Sequence, residues 1–169
     1  MKEAGLSQAS VYSYIPYVGL AYNLTETTVN ADRHRLFRQR VKACQELTEH
    51  MDCSDSEDYL WKAIIAFENY PFKTAKGLKY HYTVKRSRTG QPIGEIVFDR
   101  KEKSITRSTV VKGFENAAAV QKRKGYVSGP KKLGVFGASY LYPVFFRLEV
   151  CKGQLVAEKN QQVTLLPPD

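Results

Sequence analysis

A chain of 169 residues, 43% of them hydrophobic, has apolar material for a real core, in one medium domain or a small module plus a domain. Its 26 Lys and Arg against 17 Asp and Glu give a net charge of +9, which favours an anionic partner, with nucleic acid first and a membrane surface second. No apolar run approaches the roughly 18 residues of a membrane span, and three widely spaced cysteines argue against a disulfide framework.

Gly5-Leu6-Ser7-Gln8-Ala9-Ser10-Val11-Tyr12 reads as the turn and second helix of a helix-turn-helix. Gly5 makes the turn, Leu6 enters the core and Ser7 caps the new helix by accepting a backbone N–H. Gln8, Ser10 and Tyr12 then fall on the part of the helix that reaches base edges in such motifs. Val11, Tyr14 and Tyr17 leave apolar surface that needs cover, from the helix expected at 31–51 or from a second copy of the chain, a homodimer. Pro16 limits the helix.

Residues 31–51 form one amphipathic helix by pattern, with Phe37, Val41, Cys44, Leu47 and Met51 at three- and four-residue steps. The cations Arg33, Arg35, Arg38, Arg40 and Lys42 lie mostly off that stripe. They make either a solvated face or a phosphate-contacting one. Six acids and no cation follow between Glu46 and Asp58, and the polar run Asp52–Ser56 marks a boundary. The expected division is 1–52, a helical arm with a partial helix-turn-helix, and 53–169, a small α+β domain.

Ser54 and Glu57 have the spacing of a capping box for a helix to about Asn69, with Leu60, Ile64 and Phe67 inward. Leu78, Tyr80, Tyr82 and Val84 alternate with polar residues, as do Ile96 and Phe98 after the turn Ser87–Gly94, which predicts a hairpin. Ser104 or Thr106 caps a further helix to about Lys122, with Val110, Phe114, Ala117 and Gln121 on its buried side. The apolar, aromatic segment Leu133–Val150 reads as a buried helix interrupted near Pro143, or else as a strand. Gln154–Ala157 is a weak strand.

The N-terminal fifty residues resemble the helix-turn-helix of a group of bacterial regulator-like proteins. The matching residues are Gly5-Leu6-Ser7, Val11 through Tyr17, Gly19 through Leu24 and Asn30 through Arg40. The motif is truncated, since four residues precede Gly5 where a complete one has a bracing first helix. Tyr70-Pro71-Phe72, Lys76-Gly77-Leu78, Val97 through Lys101, Ser104 through Arg107 and Gly129 through Pro143 are similar to a bacterial domain of unknown function. The first resemblance implies DNA binding. The second implies no activity.

Catalytic motifs are sparse. Cys44, His50 and Cys53 lack a fourth ligand for zinc, and Gly125–Gly134 lacks the order of a phosphate-binding loop, so no metal or cofactor is expected. Glu95, Asp99 and Lys101 have the residue types of a metal-dependent nuclease, but the preceding strand supplies no further acid. Between Arg100 and Lys132 there are ten basic residues against two acids. Lys101, Lys103, Thr106 and Arg107 cluster at a helix start, where free N–H groups hold anions, and Lys122, Arg123, Lys124, Lys131 and Lys132 extend the basic surface.

The sequence therefore predicts an α+β protein, an Arg-rich helical N-terminal arm followed by a helix–β-hairpin–helix–helix domain. It is expected to be a non-enzymatic, DNA-binding protein with a regulatory role. Phosphate contacts would come from the two basic clusters together with Arg33 and Arg38. A protein-interaction module that docks a partner through the aromatic C-terminal segment is the first alternative, and the nuclease is the second. No membrane partner is expected. Because no apolar signal core follows Met1–Gly5, the location is expected to be cytoplasmic.

Overall fold

The computed structural model describes residues 26–100 and 104–153, with side chains from Ala31 onward. Gln8, Ser10, Tyr12, Lys101, Lys103 and the strand expected at Gln154–Ala157 lie outside the described residues. The described part is α+β. Its helices are α1 (Glu26–Glu49), α2 (Ser56–Ala66), α3 (Arg107–Lys124) and α4 (Ala138–Arg147), with a 3₁₀ turn at Pro130–Leu133. Its strands are β1 (Phe72–Lys73), β2 (Lys79–Tyr80), β3 (Tyr82–Arg86), β4 (Pro92–Phe98) and β5 (Ile105–Thr106).

The described residues divide into two units, one ending at Val41 and the other beginning at Lys42. The described part of the first is residues 26–41 of α1. Arg35 and Asp32 pair there at 2.9 Å, one turn apart on the exposed face. The polar break at 52–56 lies inside the second unit. That unit contains the end of α1 and all the other elements.

The core of the second unit follows from the apolar periodicities. Cys44 and Leu47 of α1 are buried, and Leu60, Trp61, Ala63, Ile64 and Phe67 carry the inner side of α2. The helix stops at Ala66 rather than Asn69. Asn69 takes a left-handed backbone with φ 59° and donates its N–H to the Tyr82 carbonyl, which turns the chain onto β3. The expected capping box does not form. Asp55, not Ser54, stands before α2, and no side chain caps its first turn.

Tyr80, Tyr82 and Val84 are buried and alternate with exposed neighbours, as the period-2 pattern requires. Leu78 departs from it, 42% exposed. The hairpin pairs Tyr82 with Phe98, Thr83 with Val97 and Val84 with Ile96. It shifts register between Val84 and Arg86, opposite Gly94, whose φ of 76° suits a bulge. Two short pairings went unseen in the sequence: β1 with β2, and β5 with β4 through Glu95–Thr106 and Ile96–Ile105. Two-residue strands carry too little pattern to announce themselves.

Tyrosine hydroxyls fasten the sheets to the helices. Tyr82 Oη donates to the Ile64 carbonyl at 2.7 Å, and Tyr80 Oη donates to the Tyr140 carbonyl at 2.5 Å. Phe72, Tyr80, Tyr82, Phe98 and Tyr140 form a continuous set of ring contacts. The segment Leu133–Val150 is mostly core: Leu133, Tyr140, Leu141, Val144, Phe145, Leu148 and Val150 are buried. It is a 3₁₀ turn and then a helix, which runs through Pro143. Of its aromatic side chains, Tyr140 and Phe145 are buried, Tyr142 and Phe146 are half-buried, and Phe136 is 53% exposed.

Glu68 holds the outer edge of β3. Its Oε1 accepts from the Val84 N–H at 2.9 Å and from Arg86 Nη1 at 2.8 Å, and its Oε2 accepts from Arg86 Nη2 at 2.5 Å. The Arg86 guanidinium holds the carboxyl below its usual range. A carboxylate with a depressed folded pKa stabilises the fold fully above its unfolded value of 4.5, and that contribution is lost as pH falls through the folded value. Glu68→Gln is accordingly expected to lower stability by about 1 kcal/mol at neutral pH. It should also flatten the decline of unfolding free energy below about pH 4.5, as urea titrations at several pH values would show.

The three thiols are free. Burial pushes Cys44 up to about 11 and Cys151 up to about 12, while Cys53 is exposed. At about pH 8 iodoacetamide should label Cys53 alone in the native protein, because the thiolate is the reactive form. Mass spectrometry of the digest should find all three labelled only after denaturation.

Candidate nucleic-acid interface

The predicted contacts fall into three places: α1, the start of α3, and the far end of α3 with the 3₁₀ turn. On α1, Arg33 and Arg38 are exposed and have no ion pair among the described residues. They belong to the first unit.

The start of α3 is built by Thr106 and Arg107, and both are already engaged. Thr106 is the N-cap, and its hydroxyl accepts the Thr109 N–H. Arg107 Nε donates to Glu57 at 2.7 Å and Nη2 donates to Asp58 at 2.7 Å, while the guanidinium lies 5.5 Å from the centre of the Trp61 ring. Two carboxylates thus meet one cation. Nearby, Glu95 accepts from Lys85 Nζ at 2.7 Å and from Ser104 Oγ at 2.8 Å, and these donors hold its carboxyl below the ordinary range. An open cleft of about 660 Å³ lies between Trp61, Pro92–Glu95 and Thr106–Ser108. Its charged lining residues are Glu95 and Arg107, and both are already paired, so it offers no unneutralised cation to a phosphate. Sequence reasoning missed this because Glu57 and Asp58 stand about fifty positions from Arg107.

Of the nuclease residues, Glu95 and Asp99 are described, and each has a partner. Asp99 accepts from the His81 backbone N–H at 3.2 Å and sits 3.2 Å from His81 Nδ1, and Glu95 serves Lys85 and Ser104. Among the described residues no group of three or more His, Cys, Asp or Glu could hold a metal ion.

The far end of α3 is different. Lys122, Arg123 and Lys124 occupy its last turn and are exposed, and Gly125 closes the helix with φ 75°. Lys131 and Lys132 are exposed on the 3₁₀ turn. Asn116 Nδ2 donates to the Leu133 carbonyl at 2.7 Å, which ties that turn to α3. Lys122 meets Asp52 at 3.6 Å, both side chains at least 80% exposed, so that bridge is weak. Arg123, Lys124, Lys131 and Lys132 have no acidic partner among the described residues. The chain from Lys124 to Lys131 reaches at most about 25 Å, less than one turn of B-DNA.

Lys152 joins this surface, although it stands twenty positions beyond the basic zone in the chain. Its N–H donates to Gln121 Oε1 at 2.8 Å and its carbonyl accepts from the Val127 N–H at 2.8 Å, which brings a distant cation to the end of α3. Its side chain is exposed.

No protein-family model, curated protein or solved structure matches the chain. Among the described residues no helix is long and apolar enough to cross a membrane.

Proposed function

We propose that this protein binds duplex DNA, holding phosphates with the cations at the end of α3 and on the 3₁₀ turn. The observation that carries the reading is that Arg123, Lys124, Lys131 and Lys132 are exposed and unneutralised within one turn's span of a duplex. A phosphate backbone rewards such an arrangement by releasing condensed counterions, with no demand for a deep pocket. Cations at a helix C-terminus also offset the helix dipole, by about 0.3–1 kcal/mol each. That accounts for Lys122–Lys124 but not for Lys131, Lys132 or Lys152.

Arg33 and Arg38 on the Arg-rich arm form a second set of phosphate contacts in this reading. Gln8, Ser10 and Tyr12 keep the base-contacting role that the helix-turn-helix resemblance implies, and a regulatory function follows from that resemblance alone. Thr106 and Arg107 are left as structural groups. The experiment is a fluorescence-anisotropy titration of a labelled duplex of about 20 base pairs at about 50 mM salt, a condition under which phosphate contacts bind well. Saturable binding is expected, and its absence would reject the reading.

A further inference from the structure

Base sequence is read in the major groove by side-chain amides, which pair bidentately with adenine, and by arginine forks on guanine. The amides of Gln121, near the end of α3, and of Asn116, at its middle, are committed to the protein. Gln121 Nε2 donates to the Gly125 carbonyl at 2.6 Å while its Oε1 accepts from Lys152, and Asn116 Nδ2 donates to the Leu133 carbonyl. What faces outward is lysine and one arginine. A lysine ammonium is a compact point charge that meets a phosphate oxygen from any direction. The orientation of the helix argues the same way, since recognition helices reach bases with N-terminal residues, and here α3 offers its C-terminal end.

Resting on the DNA-binding reading, we infer that this patch grips the sugar-phosphate backbone and reads no base. Its ligand class is the duplex backbone itself, whatever the sequence. Preference for a particular site comes from elsewhere in the chain.

The test compares the full-length protein with the variant Arg123→Ala/Lys124→Ala/Lys131→Ala/Lys132→Ala on three duplexes of equal length: AT-rich, GC-rich and mixed. Circular dichroism melting verifies that the variant is folded. The expected result is a large affinity loss of equal factor, within about twofold, on all three, because a phosphate contact weakens binding uniformly across sequences. Arg123→Lys should keep affinity within about twofold on every duplex, since a phosphate accepts either cation. Losses that differ tenfold or more between duplexes, or a loss with Arg123→Lys confined to the guanine-containing ones, would overturn the inference while leaving DNA binding standing. A variant that binds every duplex as the wild type does would overturn the placement of the DNA contact, and this inference with it.

Discussion

Gly137→Ala is expected to cost about 3 kcal/mol of stability, from two independent penalties. Gly137 stands just before α4 with φ 74°, a conformation that strains any residue with a Cβ. A Cβ built there would also fall on Ile105, which is 1% exposed and pairs with Ile96 in the sheet. The atoms met are Ile105 side-chain carbons, and because that side chain is fully buried, any rotamer change that frees the space disturbs its packing. Equilibrium urea unfolding of the two proteins measures the difference. A loss below about 0.5 kcal/mol, the size of an ordinary surface substitution, would mean that α4 does not approach β5 as described.

The second large effect concerns binding. Removing Arg123, Lys124, Lys131 and Lys132 together should lower duplex affinity between about 10³- and 10⁵-fold at about 50 mM salt. The counterion-release relation gives roughly one decade per phosphate contact between that salt and a 1 M reference, and contacts made through water contribute less. The melting temperature should fall by no more than a few degrees, from the helix-dipole contribution of Arg123 and Lys124, because all four side chains are exposed and none holds an ion pair among the described residues. By contrast, Arg107→Ala should leave affinity within about twofold while costing about 1 kcal/mol of stability, since its guanidinium serves Glu57 and Asp58.

Much of the second unit was legible because its segments repeat one period for long enough. Leu60, Ile64 and Phe67 declared α2, Tyr80, Tyr82 and Val84 declared β3, and Val110, Phe114 and Ala117 declared α3 with Thr106 as its cap. What stayed hidden is non-local. The hold of Glu68 on Arg86, the clamp of Glu57 and Asp58 on Arg107, and the arrival of Lys152 beside Gln121 each join residues 18 to 50 positions apart. No periodicity encodes such pairings. Charge counting along the chain therefore found the basic zone between Arg100 and Lys132 but could not divide it. The folded unit does divide it, neutralising Arg107 at one end of α3 and leaving the cations at the other end exposed.

The salt dependence of duplex binding tests the account most directly. Anisotropy titrations between about 50 and 200 mM salt should give a log–log slope of about −3.6 or steeper, from at least four phosphate contacts of roughly 0.9 each. The variant lacking Arg123, Lys124, Lys131 and Lys132 should lose about 3.6 from that slope. A wild-type slope near zero, or a variant slope equal to the wild type's, would contradict it.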